Sequence, residues 1–520
     1  MNPLTGVART AALALLLLAG GACTHAERAV GPAPSMPAGD PLAALAHGLR
    51  PTQLNAGESL PGWSLQERMA HHRVPGVAIA VLRDGVVVQA AGFGVREAGT
   101  QDAVDADTVF SVGSLSKIAA AAATLRLVAA GTLDLDRDVD AYLTSWHVPD
   151  ATGIGSTPIS LRMLMSHTAG LNVHGFEDYQ PDEPLPTLLQ TLNGTAPAKN
   201  DAVVRTSAPG ARMRYSGGGV TVEQLVLEDA TGRKLEDIAR AEVFAPLGMR
   251  RSTFGNPLPA TFGNIAKAHD GDGARAALPR GWESFPEQAA SGLWTSARDL
   301  GGLVGALIRS YQGKGEFLPQ ALAVQMMTEV EPSLHGLGPR LGGTGVTRLF
   351  HHGGANDSYR AWLEGHLHSG DGMVILTNGN NGGDLMMEIR NALNDALDPA
   401  FNPPLRTVGS DLSSPFHADY AGTWTLDPSI PADVQGNLTG YFESGSVALR
   451  IAGDRLAIVG EEGDDDVPLA TLAPARFVAP GDQDPLVFQF HRDARGAVSR
   501  MTVDRGTARL CFRRNAASSH

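Results

Sequence analysis

The chain has 520 residues and a formal charge of −14, with 43% hydrophobic and 18% charged residues. That length exceeds what one hydrophobic core organises, so at least two domains are expected, and the composition is globular rather than disordered. The acidic balance argues against nucleic acid as the main partner, because binding phosphates calls for a basic face.

In chain order, Arg9 precedes the apolar run AALALLLLAGGA, residues 11–22, which is too short to span a bilayer and ends in small residues. Residues 1–22 are therefore expected to be a secretory signal and the chain to be exported. There are two cysteines, Cys23 and Cys511. A disulfide between them is one reading. The stretch AGGAC resembles a bacterial lipoprotein processing site, which implies lipidation of Cys23 and a membrane-anchored, periplasmic protein. Gly20 departs from that pattern, where a leucine is usual, so cleavage after Ala22 or Ala26 without a lipid is the rival.

Residues 23–58, rich in Ala, Pro and Gly, read as a tether. A first domain is expected over 59–398. It opens with VPGVAIAVLRDGVVVQAAGFGV, two β-branched runs around Asp84-Gly85 that spell a hairpin. Helices are expected in the alanine run after Ser114, in LRMLMSHTAGL (Leu161 to Leu171) and in VTVEQLVLEDATG, with Gly232 as its C-cap. SYRAWLEGHL and MVILTNG read as strands. Strands at both ends with helices between them predict an α+β domain. Residues 399–415 (PAFNPPL, SDLSSP) read as a linker. Over 416–520 short apolar runs alternate with turns, predicting a small all-β domain, a lipocalin-like barrel or a sandwich.

The chemistry points to SVGSLSK, Ser111 to Lys117. The chain contains only five lysines, and Lys117 lies three residues after Ser114. On a helix, residues i and i+3 share a face, so the amine would stand beside the hydroxyl. A serine needs a base to become a nucleophile, and a lysine can be that base when its surroundings lower its pKa. The helix N-terminus that follows can help stabilise an oxyanion.

With SVGSLSK, the stretches LMSHTAGL, PGARMRYSGGG, FAPLGM, ASGLWTSARDL and FHHGGANDSYR fall in an order that resembles the serine β-lactamase-like superfamily. They are most similar to the branch of class C β-lactamases, D-Ala-D-Ala carboxypeptidases, D-aminopeptidases and related carboxylesterases. The resemblance covers about 330 residues, from Leu60 to near Asn391. It implies a β-lactamase-like fold, an antiparallel sheet flanked by helices plus a helical subdomain, followed by the barrel often appended to such hydrolases. It also implies Ser114 as the acylated nucleophile, Lys117 as its base and Tyr215 as proton relay. His352, Gly353 and Gly354 would match the Lys-Thr-Gly element of the sheet edge, and the N–H groups of Ser114 and Ala355 would form the oxyanion hole. Two departures bear on substrate. Gly217 stands where class C enzymes carry an amide-binding asparagine, and His352 where they carry a lysine, so a substrate carboxylate is held less strongly.

His167 is expected to pack near the site without doing chemistry, and Ser116 to be structural. The pairs His71-His72 and His351-His352, with His167 and His174, lack a zinc spacing, so no metal and no cofactor is expected. Neither Gly-x-Ser-x-Gly nor a phosphate loop occurs. The expected protein is a serine hydrolase acting on an amide or ester, a D-amino-acid peptide or a small carboxylic ester, with weak or absent β-lactamase activity. The alternative is a penicillin-binding or sensor-type protein that is acylated but turns over poorly.

Overall fold

A computed structural model describes residues 40–515 apart from 56–58, 151–152, 154–156, 279–280, 334, 403–405, 409–417, 430–444, 454, 461–465, 480–485 and 506–507. The signal segment and Cys23 lie outside the described residues.

The first domain is built on a six-stranded antiparallel sheet. Its strands are β1 (Gly76–Arg83), β2 (Val86–Gly94), β3 (Arg340–Gly342), β4 (Leu349–Ala355), β5 (Arg360–His366) and β6 (Gly372–Thr377), in spatial order β2-β1-β6-β5-β4-β3. The first two form the hairpin expected at Asp84-Gly85, both with positive φ (48° and 68°) as such a two-residue turn requires. Side chains alternate across β1, and both of its faces are covered. Val77, Ile79 and Val81 pack with helix α5 (Gly382–Leu397) through Leu385, Ile389 and Leu393. Ala78, Ala80 and Leu82 belong to the larger core with Leu300, Leu303, Val304 and Leu307 of helix α4 (Ala297–Tyr311). Two more helices set the site: α2 (Ser116–Ala129) and α3 (Gly217–Thr231). Ala119 to Ala123 of α2 are at most 1% exposed. A helix apolar on all sides belongs inside a core, and alanines let neighbouring elements approach closely. Gly232 ends α3 in the left-handed conformation, as expected.

Three local expectations differ from what is observed. Helix α1 (Leu65–His71) is preceded by a segment that composition assigns to the tether, yet Pro41–Ala46 forms a 3-10 helix capped by Asp40. Ala44, Leu45 and Leu49 are buried in the core shared with α5. These side chains find their apolar wall on a helix more than 300 residues away. The helix expected over Leu161 to Leu171 stops at Met165, because His167 adopts a left-handed φ of 61°. The linker also starts as packed structure. Phe401 stacks on His366 with centroids 3.6 Å apart, and Arg406–Val408 pairs in parallel with Gln53–Asn55.

The C-terminal region is a nearly closed antiparallel barrel of nine strands: β7 (Gly422–Leu426), β8 (Ser446–Ala452), β9 (Arg455–Ile458), β10 (Val467–Pro468), β11 (Ala470–Ala473), β12 (Arg476–Val478), β13 (Val487–Arg492), β14 (Val498–Arg505) and β15 (Ala508–Arg514). The order β10-β9-β8-β7-β15-β14-β13-β12-β11 puts consecutive strands at its two edges, with Leu469 between them, so the sheet curls back on itself. Trp424, Phe477, Phe488, Phe490, Met501 and Phe512 fill its core.

Candidate active site

Ser114 sits in a 3-10 turn, Gly113–Leu115, that runs directly into α2. This turn is pressed against the end of β4. Gly113 has a φ of 49°, and a Cβ there would lie 2.8 Å from the Ala355 nitrogen and 2.6 Å from its oxygen. A Cβ on Gly354 would lie 2.0 Å from the Val112 oxygen. Only glycine fits at either position, and their absence of side chains is what lets the Ser114 turn meet the sheet edge. Asn356 pins the same junction by donating to Ser111 Oγ at 2.8 Å.

Lys117 is 3% exposed, and its Nζ donates to Ser114 Oγ at 3.0 Å and to the Ala290 carbonyl at 2.8 Å. The same Nζ is 5.0 Å from the centre of the Tyr215 ring. Burial raises the Tyr215 phenol, but the Lys117 charge, hydrogen bonding with Ser114 and Lys117, and the Arg340 charge outweigh it and bring it below the ordinary tyrosine value. Ser116 plays the structural part expected of it, donating to Gly113 O at 2.6 Å and accepting from Leu293 N at 2.9 Å.

His352 is 2% exposed, its Nδ1 lies 2.6 Å from the Gly353 oxygen, and its ring centre lies 6.3 Å from that of Tyr215. Burial, then Arg340 and Lys117, hold it well below the ordinary imidazole value, so it is neutral. Gly217 is the first residue of α3. Its N–H donates to His174 O at 3.0 Å, and a Cβ there would already stand 3.0 Å from that oxygen and from the Phe176 ring. The segment 174–176 thus occupies the space into which a side chain at 217 would extend. The glycines 217–219 form the first turn of α3.

Ser114, Lys117, Tyr215, Gly217, His352, Gly353, Gly354 and Ala355 all line one cleft of about 580 Å³. The residues lining it come from the first domain. Sequence reasoning missed several of its neighbours. Arg340 on edge strand β3 lies 5.9 Å from the Tyr215 ring and restores a positive charge beside the neutral His352. Its register partner on β4 is His351, a pairing no local pattern announces. His167, expected near the site, accepts from Ser216 N at 3.2 Å and packs 4.3 Å from the Tyr215 ring, while His335, which the sequence reading missed, lies 4.8 Å from His167. Among the described residues no three His, Cys, Asp or Glu side chains converge to hold a metal ion.

Buried ionisable groups around the cleft predict an asymmetric pH dependence of stability. His167, His335 and His352 are each 2% exposed and held well below their ordinary value, by burial first and then by neighbouring charges. Once the pH falls below about 6.5 the unfolded chain takes up these protons and the folded chain does not, so stability is lost with falling pH. Glu223, Glu287 and Asp178 are pushed up to about 7, 8 and 8, chiefly by burial. They bind more protons folded than unfolded between about pH 4.5 and 7, so they cost stability as pH rises through that window. The two trends oppose each other between about pH 4.5 and 6.5. Below about 4.5 the three carboxylates no longer oppose the histidines, so stability falls with falling pH. Denaturant unfolding should therefore be nearly level from about pH 5 to 6.5 and collapse below about 4.5. Equal stability at about pH 3.5 and 6 would contradict this assignment.

The Beta-lactamase family model matches residues 64–397. Penicillin-binding protein 4 of Amycolatopsis lactamdurans is 31% identical over 42% of this chain, and the match spans only about half, 55%, of that protein's length. Esterase EstB of Burkholderia gladioli is 30% identical over 49% of this chain and 70% of its own. The D-aminopeptidase of Brucella canis is 24% identical over 74% of this chain and 71% of its own. Among solved structures, the octameric penicillin-binding protein homologue from Pyrococcus abyssi shares the fold, with a TM-score of 0.55 at 20% identity over 86% of this chain and 98% of that one. With the family's match covering most of the chain and a serine hydroxyl met by a buried lysine at its centre, this protein belongs to the beta-lactamase family, as a serine hydrolase.

Proposed function

We propose that Ser114 attacks an amide or ester carbonyl and carries the acyl group, with a D-amino-acid peptide or a small carboxylic ester as substrate. The observation that carries this reading is the 3.0 Å contact from the buried Lys117 Nζ to Ser114 Oγ, with Tyr215 beside both. Lys117 and Tyr215 together take the Ser114 proton and return it to the leaving group. The oxyanion is received by the N–H groups of Ser114 and Ala355, which the close approach at Gly113 brings together. Water then attacks the acyl-serine by the reverse route. β-Lactam hydrolysis is weak or absent in this reading, because Gly217 offers no amide arm and His174 and Phe176 occupy its place.

The relatives named as an esterase and a D-aminopeptidase support the two substrate classes. The test is hydrolysis of 4-nitrophenyl butyrate by the purified chain and by Ser114→Ala. Turnover is expected in the first, with a loss of at least about 10³-fold in the second. Equal turnover would remove Ser114 from the mechanism, and a stoichiometric burst without steady turnover would favour the acylated sensor. Export and lipid anchoring at Cys23 belong to the same proposal and rest on the N-terminal sequence. Their check is membrane retention of the full chain in a bacterial host, which should be lost in Cys23→Ser.

A further inference from the structure

The cleft does not end at the catalytic groups; it continues over the edge of β4 toward α5. Successive residues of a strand point to opposite faces. Gly354 meets the nucleophile turn on one face, whereas Gly353 lies on the other, directly opposite Trp362 of β5. A Cβ built on Gly353 would touch the Trp362 ring at 3.7 Å, an ordinary contact. The glycine therefore sets no side chain against the Cε3 and Cζ3 atoms of the indole beside the reacting edge, in a position where the Lys-Thr-Gly element carries a threonine.

Trp362 is held in place from several sides. Its ring stacks on His351, with centroids 5.0 Å apart and planes 24° from parallel, and its Nε1 donates to Glu364 Oε2 at 3.3 Å. Met386 and Met387, from the early turns of α5, line the same cleft and pack on the same core as the indole. Arg360 also lines it, but its guanidinium is turned to the carbonyls of Asn356 and Tyr359. A rigid aromatic floor with adaptable thioether walls suits a flat or branched apolar group and offers nothing to a carboxylate.

We propose that Trp362, Met386 and Met387 form a specificity subsite for an aromatic or branched aliphatic group of the substrate, opened by the missing side chain at Gly353. The proposal rests on the acyl-Ser114 reading for its substrate, and its tests are separable from that reading. Two series of esters, acetyl against phenylacetyl esters of one alcohol and methyl against benzyl esters of one acid, are hydrolysed by the full chain, by Met387→Asp and by Gly353→Val. In one of the two series the aromatic-over-methyl ratio of kcat/KM is expected to fall about tenfold in both variants. A ratio cancels any loss of folded protein or of general catalytic power. Unchanged ratios in both series, with ester turnover intact, overturn the subsite and leave the acyl-serine reading standing.

A binding measurement covers the case in which esters are not turned over. Calorimetric titration of Ser114→Ala with benzyl phenylacetate should show binding that weakens about tenfold when Met387→Asp is added. Equal binding by the two proteins overturns the subsite whatever the chemistry at Ser114.

Discussion

Lys117→Met is expected to lower kcat about 10⁴-fold while leaving the fold in place. The two side chains are similar in length, so the buried slot beside Ala290 stays filled, but position 117 no longer offers a donor to Ser114 Oγ or to the Ala290 carbonyl. Two losses coincide. Ser114 keeps its proton at neutral pH, and Tyr215 loses the charge that contributes most to bringing its phenol below the ordinary value. The second loss is readable by itself, because the pH dependence of any residual activity should move to higher pH. Steady-state kinetics with an aryl ester, alongside circular dichroism and a melting curve, make the measurement. A kcat within tenfold of the parent, in a folded variant, would show that Lys117 is not the base partner.

Glu364→Gln is expected to cost about 3–5 kcal/mol of stability, the range for breaking a buried ion pair from one side. Glu364 is 0% exposed at the centre of β5. It accepts from Arg390 Nε at 2.6 Å, His366 Nε2 at 2.8 Å, Asn394 Nδ2 at 2.9 Å and Trp362 Nε1 at 3.3 Å. Burial alone would raise its pKa, but Arg390 first, then His366 and Asn394, drive it far below the ordinary carboxylate value. The amide would leave the Arg390 guanidinium, itself 3% exposed, without a counter-charge and would put an NH₂ group where donors already converge. Because this pKa is depressed, the stabilisation is fully present above the ordinary carboxylate range and is lost as pH falls below it. Urea unfolding near neutral pH is the measurement. A difference under about 1 kcal/mol would mean that the network is solvated or redundant.

Several expectations and the structure agree because their causes are local. The Asp84-Gly85 hairpin needs only β-branched runs and a dipeptide that tolerates positive φ. The helix after Ser114 follows from an alanine run, and once it exists the spacing of Ser114 and Lys117 brings their side chains together. Tyr215 joined them in expectation through the resemblance, and the structure brings it within reach of the same lysine.

What needed tertiary structure is what depends on partners distant in the chain. Pro41–Ala46 reads as tether because its apolar wall belongs to α5. The helix expected through Leu171 stops at Met165, where His167 turns out of the helical conformation beside Ser216 and Tyr215. Arg340 becomes a cleft residue only when β3 pairs with β4. Trp362 meets Gly353 only through the register of β4 and β5. By itself the sequence determined that Ser114 and Lys117 meet, the main strands and helices and the existence of a β-rich C-terminal region, since each is written in residues a few positions apart. The walls of the cleft were decided by the sheet register and by the helices that the sheet holds, because side chains hundreds of residues apart become neighbours only once the backbone hydrogen bonds are paired.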